Sequence, residues 1–245
     1  MDCYLSWVSS SFCTTAGGKG RLRINNLFHS LLSFLFDNRC SVCGEELEQD
    51  DVLFCKGCLE ALARNNLQLE QTDELEFIIP LAPFDDVREA IHFLKYSGWK
   101  RLGRKLGVAL GEKLSRVDFL REFDILLPVP LHKTRKRERG FNQSLIISEG
   151  VSKTLGIPVA KEIVIRVKNT RSQTQLSEEE RGKNVNGAFS VKAPDKITGK
   201  NIVIVDDVVT TGSTTKEITK MLKDAGARRV GVACIGRPKN KGEIL

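Results

Sequence analysis

The run Asn201-Ile-Val-Ile-Val-Asp-Asp-Val-Val-Thr-Thr-Gly-Ser-Thr214 restricts the fold more than any other segment. An apolar stretch over residues 201–205 ends in two adjacent carboxylates, Asp206 and Asp207. A loop of small, hydroxyl-bearing residues follows: Thr210, Thr211, Gly212, Ser213 and Thr214. It opens a segment whose apolar positions Ile218, Met221, Leu222 and Ala225 share one helical face. A continuously apolar strand is buried on both sides, which calls for a parallel sheet between helices. Ligands of such sheets bind beyond the carboxyl ends of the strands. Gly212 lets the backbone come close without a Cβ. The N–H groups of residues 211–214 can turn inward as an anion nest, and a helix N-terminus adds partial positive charge. No lysine follows the glycine, so this is not a Walker A loop. Two carboxylates beside an anion site would repel it unless sugar hydroxyls, which they accept well, lie between. The segment therefore asks for a ligand with a diol at one end and a phosphate at the other. A Mg²⁺ ion can sit between such a diol and a pyrophosphate.

The flanking pattern agrees with an α/β parallel-sheet domain. Residues 85–96 and 100–114 read as amphipathic helices, through Val87, Ile91 and Leu94 and through Leu102, Leu106, Ala109 and Leu110. Strands are expected at 124–129, 162–167, 188–191, 201–205 and 230–235, with helices at 141–155 and 214–225. Residues 168–186 form a long polar excursion between two strands, and excursions of that length are uncommon unless functional. Residues 26–36 read as a short apolar helix carrying Leu27, Leu31, Phe34 and Leu35. Residues 1–25 are rich in Ser, Thr and Gly and read as a disordered tail. The expected division is thus 1–25 tail, 26–64 apolar helix and metal module, and 77–239 α/β domain.

Four of the seven cysteines form two Cys-x-x-Cys pairs, Cys40/Cys43 and Cys55/Cys58, separated by eleven residues. Zn²⁺ prefers four tetrahedral ligands and thiolates suit it. A gap of two residues lets one turn aim both sulfurs at one ion, and Gly44 and Gly57 are expected to ease each turn. Four thiolates leave no open coordination position, so the expected zinc is structural. An Fe–S cluster or a redox dithiol is the alternative.

The net charge is +7 and the isoelectric point about 9.1, which favours phosphorylated partners. Lys133, Arg135, Lys136, Arg137 and Arg139 crowd one stretch after the strand at 124–129. Read as a loop, it can meet a pyrophosphate or track a nucleic-acid backbone. His132 reads equally as a loop hydrogen-bonder and as a catalyst. The excursion carries the cations Lys168, Arg171 and Lys183. The longest apolar stretch, residues 27–36, is about half of the roughly 20 residues a membrane span needs. Asp2 stands where a secretory leader would carry basic residues. The expected location is the reducing cytoplasm, without membrane insertion.

Residues 203–214 resemble the phosphoribosyl pyrophosphate (PRPP) motif of type I phosphoribosyltransferases. That resemblance implies that Asp206 and Asp207 meet the ribose hydroxyls, that Thr210, Thr211, Gly212, Ser213 and Thr214 hold the 5′-phosphate, and that the excursion closes over substrate, where Lys168, Arg171 and Lys183 can neutralise a departing pyrophosphate. A wider ordered set is similar to the ComF/GntX family. It comprises the Cys₄ module, Ile91-His-Phe-Leu-Lys-Tyr-Ser-Gly98, Pro128-Val-Pro-Leu-His132, Arg139-Gly-Phe-Asn-Gln143, Gln175-Leu-Ser177 with Arg181 and Asn184-Val185, and the PRPP motif. It spans about residues 27–237. The resemblance implies a phosphoribosyltransferase-like fold and a role in DNA uptake during natural transformation, among other DNA-uptake proteins.

Two readings of function follow. In the first, the chain is an enzyme that displaces pyrophosphate from Mg²⁺–PRPP by an acceptor that the sequence does not name, with no catalytic residue assigned. In the second, it is a binding protein that senses a nucleotide-like ligand and holds single-stranded DNA through its basic stretch. With 12 Phe, 2 Trp and 2 Tyr, the expected contact to DNA is electrostatic rather than a stacking platform.

Overall fold

A computed structural model describes residues 39–48, 51–66, 69–168 and 187–238. The expected tail, the apolar helix at 26–36 and most of the excursion, residues 169–186, lie outside the described residues. A four-stranded parallel sheet is built from β1 (Ile78–Pro83), β2 (Ile125–Pro128), β5 (Asn201–Val208) and β6 (Arg229–Arg237). Its order is β1-β6-β5-β2. The expectation that every strand joins this sheet is corrected. β3 (Val164–Arg166) and β4 (Phe189–Val191) pair antiparallel as a separate ribbon.

The strands are apolar on both faces, and the period of two sorts their side chains. Ile79, Leu81, Leu126, Val203, Val205, Ala233 and Ile235 enter one buried cluster. Ile78, Leu127, Ile202, Ile204, Val230, Val232 and Cys234 enter the other. The first cluster takes α2 (Phe84–Tyr96), α3 (Lys100–Leu114) and α5 (Gln143–Leu155). The second takes α6 (Ser213–Asp224) and the β3–β4 ribbon. The sequence assigned no element to residues 78–83, where Pro80 and Pro83 argue against an interior strand. β1 lies at the sheet edge, where a missing N–H is tolerated.

The cysteine module ends in α1 (Lys56–Arg64), whose Leu59 and Ala63 join the first cluster together with Phe54. Arg116 donates to the Ala63 carbonyl at 3.3 Å, and Lys105 pairs with Asp51.

The basic stretch is not a loop. It forms a two-turn helix, α4 (Lys133–Arg139), closed by Gly140 in the left-handed conformation. His132 caps it, its Nδ1 accepting from the Thr134 N–H at 3.3 Å. That is the loop hydrogen-bonder of the two roles weighed for it.

Candidate functional site

β5 runs three residues further than the apolar stretch suggests, so Asp206 and Asp207 are strand residues at its carboxyl end. A cavity of about 240 Å³ opens there. Asp206, Asp207, Thr210, Gly212, Ser213 and Thr214 line it. Thr211 does not, and its hydroxyl pairs with that of Ser213 at 2.8 Å. Gly212 adopts φ +75°, a left-handed conformation that favours glycine, and it is the N-cap of α6 with no side-chain cap. The partial positive charge of the helix N-terminus favours an anion there, although the Ser213 N–H already contacts Thr211 Oγ1 at 3.5 Å. Thr215 fastens the turn through its hydroxyl, which donates to the Gly212 carbonyl at 2.9 Å.

The two acids live in different surroundings. Lys95, from α2, reaches Asp207 Oδ2 at 3.1 Å. Asp206 Oδ1 accepts from the Ser144 hydroxyl at 3.0 Å and from the Asp207 N–H at 2.8 Å. Burial, then the neighbouring Asp207 charge, push the Asp206 carboxyl up to about 7. Ser144 is placed by the start of α5. There Asn142 Oδ1 accepts from the Ser144 N–H at 3.1 Å while Nδ2 donates to the Val129 carbonyl at 3.0 Å. One side chain thus caps the helix and ties it to the end of β2.

Cations gather on the other wall. Arg135 and Arg139, four apart on α4, line the cavity, whereas Lys133 and Arg137 are exposed and do not. Arg166, at the end of β3, lines it too. Burial, and then the charge of Arg135, lower the pKa of its guanidinium. Of the expected excursion cations, Lys168 is exposed away from the cavity lining, and Arg171 and Lys183 lie outside the described residues.

Sequence reasoning gave no role to Lys95, Tyr96 or Ser144, all of which line the cavity. One signal could have found the lysine. Two adjacent acids beside a turn without its own lysine need a cation from elsewhere, and residues 91–98 offer Lys95.

The four sulfurs of Cys40, Cys43, Cys55 and Cys58 lie within 4.8 Å of one another. Zinc with bonds of about 2.3 Å requires a tetrahedron with edges of about 3.8 Å. Cys43 and Cys55 already stand 3.6 Å apart. The Cys55 N–H donates to Cys40 Sγ at 3.3 Å and the Cys58 N–H to Cys55 Sγ at 3.4 Å, which stabilises thiolates. At Cys40, burial raises the thiol pKa, but N–H groups of Cys43, Cys55 and Val42 prevail and bring it down to about 6. The donor set fits a tetrahedral thiophilic ion. Gly44 takes the left-handed turn expected of it at φ +74°, whereas Gly57 sits in the first turn of α1 without one.

Residues 142–243 match the family described as phosphoribosyl transferase domain. The chain is 36% identical over 139 residues to competence protein F of Haemophilus influenzae, covering 56% of this chain and 60% of that protein. It is 34% identical over 206 residues to the DNA utilization protein YhgH of Escherichia coli K12, covering 81% of this chain and 89% of that one. Among solved structures, the glutamine PRPP amidotransferase of B. subtilis is 28% identical, with a TM-score of 0.37 over 54% of this chain and 25% of that one. The purine phosphoribosyltransferase of Pyrococcus horikoshii is 20% identical, with a TM-score of 0.34 over 67% and 80%.

Proposed function

Because the chain belongs to the family of competence protein F and the DNA utilization protein YhgH, we propose that it binds a ribose 5-phosphate compound, PRPP foremost, in a role connected with DNA uptake. The observation that carries the reading is the cavity lined at once by the Asp206–Asp207 pair and by the Gly212–α6 turn with its hydroxyls. The acids accept ribose hydroxyls, and the turn with Thr210, Ser213 and Thr214 donates to the 5′-phosphate. Arg135, Arg139 and Arg166 face the anionic remainder of the ligand.

With PRPP the site has the parts for transfer. A nucleophile would form a bond to ribose C1 as the C1–O bond breaks and its electron pair leaves with pyrophosphate. Such chemistry draws mainly on positioning and electrostatics. Magnesium, arriving with the pyrophosphate and held through the diol at Asp206 and Asp207, would neutralise charge on the leaving group. Lys95 gives Asp207 a cationic partner at 3.1 Å.

A second reading rests on the exposed cations of α4. Lys133, Lys136 and Arg137 point to solvent rather than into the cavity and suit the backbone of single-stranded DNA. The thiolate cluster would hold one structural zinc, in keeping with a reducing cytoplasm.

Calorimetry of the magnesium-supplied protein with ribose 5-phosphate and PRPP tests the first reading. Binding is expected, weakened at least about tenfold by Asp207→Asn, since a hydrogen bond to a charged group is worth about 1.5–3 kcal/mol. No heat with either compound would sink it. Pyrophosphate release that needs an added acceptor, and is lost in Asp206→Asn, marks an enzyme. Binding without release, with DNA affinity falling steeply as salt rises, marks the binding protein.

A further inference from the structure

Asp51 stands between the two cysteine pairs, four residues before Cys55, and its side chain is 6% exposed. Its ionic partner is not in the cysteine module. It is Lys105 of α3, whose Nζ lies 2.5 Å from Asp51 Oδ1. The segment that follows Asp51 is strained. Leu53 has φ +66°, a left-handed conformation that a bulky side chain keeps only where its surroundings impose it. Two contacts impose it. The Ser41 N–H, in the first cysteine turn, donates to the Leu53 carbonyl at 2.8 Å, and the Cys55 N–H donates to Cys40 Sγ at 3.3 Å. Both contacts join the two halves of the thiol cluster. On α3, Lys105 is two residues from Gly103 and from Gly107, about 200° of helical turn, so it leaves the helix on the opposite face. The glycine face meets α5 with no side chain between the backbones. A Cβ on Gly150 would lie 2.8 Å from the Gly107 Cα. A displacement of α3 is therefore passed on to α5 rather than absorbed by a change of rotamer. The first turn of α5 carries Ser144, whose hydroxyl donates to Asp206 Oδ1 at 3.0 Å.

We infer that the metal held by the four thiols regulates ligand affinity in the cavity, through the Asp51–Lys105 pair and the contact of α3 with α5. The inference rests on the ribose-phosphate reading of the cavity and on the fit of the four thiols to zinc. With the ion bound, both cysteine turns are fixed, Leu53 stays in its strained conformation, and Asp51 holds Lys105 where Ser144 meets Asp206. Without the ion, Leu53 relaxes out of the left-handed region and Asp51 moves with it. A module that served stability alone would need only its apolar anchors, Phe54, Leu59 and Ala63. A largely buried ion pair adds little to stability over an apolar contact of the same size, so its use here is to fix position. The coupling is reciprocal by necessity. Ligand in the cavity tightens the metal by the same factor by which the metal tightens the ligand.

Calorimetric titration of ribose 5-phosphate into the full chain tests the coupling, comparing zinc-loaded with chelator-stripped protein well below the melting transition, the fold of each checked by circular dichroism. Loss of zinc is expected to weaken binding about tenfold. Zinc affinity, read by competition with a fluorescent chelator, should rise by the same factor when ribose 5-phosphate saturates the cavity. Lys105→Met removes the charge and keeps an unbranched stem. In that variant the loaded and stripped forms should bind ribose 5-phosphate within about twofold of each other, as independent sites do. Equal affinity of loaded and stripped wild type overturns the coupling and leaves the ribose-phosphate reading standing. A loss on stripping that is as large in Lys105→Met, through unfolding or otherwise, overturns the assigned link. A zinc affinity that ignores ribose 5-phosphate overturns the coupling as well. No binding of ribose 5-phosphate by the zinc-loaded wild type sinks the ribose-phosphate reading itself, and the coupling with it.

Discussion

Asp207 meets a lysine while Asp206, its neighbour in the chain, meets a serine hydroxyl and a backbone N–H. Asp206 retains a proton up to about pH 7 because burial and the Asp207 charge disfavour its anion. Between the usual aspartate range and about pH 7, the folded chain holds a proton that the unfolded chain has released. The contribution of Asp206 to stability is therefore complete at about pH 4 and is lost as pH rises through about 7. Thermal melts should show Asp206→Asn matching wild type at about pH 4 and exceeding it by a few degrees at about pH 8. A variant less stable than wild type at pH 8 would contradict this. Ribose 5-phosphate affinity of the wild type should rise over the same window, since only the ionised carboxylate accepts both hydroxyls of a diol. The acids and the loop were legible in sequence because they are contiguous. Lys95, Tyr96 and Ser144 were not, because only folding brings residues 62 to 112 positions away against the acids of β5.

Helix α3 reaches helix α5 through glycines, and this contact sets where Ser144 stands. A Cβ on Gly107 would lie 2.2 Å from the Ile147 carbonyl oxygen, and one on Gly150 would lie 2.4 Å from that of Arg104. Gly103 and Gly111 continue the same face of α3, against Ile146 and Thr154. Backbone cannot yield as a side chain can, so the cost should be graded. Gly107→Ala is expected to lose about 3 kcal/mol and Gly111→Ala about 1 kcal/mol, because the nearest atom at Gly111 is the Thr154 Cβ at 2.8 Å rather than a backbone oxygen at 2.2 Å. Chemical denaturation checks the order, and ribose 5-phosphate affinity should fall more in Gly107→Ala as α5 shifts Ser144 from Asp206. The helices at 85–96 and 100–114 were legible almost to the residue, through their apolar period. The glycine seam was not, since a glycine in a helix reads locally as a defect and gains meaning only from the partner helix. The basic stretch was misread as a loop for a related reason. Its residues lack an apolar face, and what sorts them is which cations meet the cavity, Arg135 and Arg139, and which meet solvent.

At the scale of the molecule, the cysteine module is anchored in the core beneath the sheet. Phe54, Leu59 and Ala63 share a cluster with Leu102, Leu106 and Leu110 of α3. Loss of a bound metal should therefore loosen more than the module. Elemental analysis is expected to find about one zinc per chain, and a strong chelator should lower the melting temperature by roughly 4–8 °C, equivalent to about 2 kcal/mol. One shifted transition is expected. A metal-free protein with an unchanged melt would remove the zinc assignment. Among the described residues no helix is long and apolar enough to cross a membrane. The sequence by itself determined the parallel-sheet architecture, the acid pair with its hydroxyl-rich turn, and the four thiols. Each is carried by a contiguous run or a fixed short spacing, where covalent geometry leaves few alternatives. Only the tertiary structure decided that β3 and β4 leave the main sheet, that Lys95 and Ser144 divide the acids between them, and that Tyr96 meets Arg139 over the cavity. Those depend on packing between segments far apart in the chain, which no local pattern encodes.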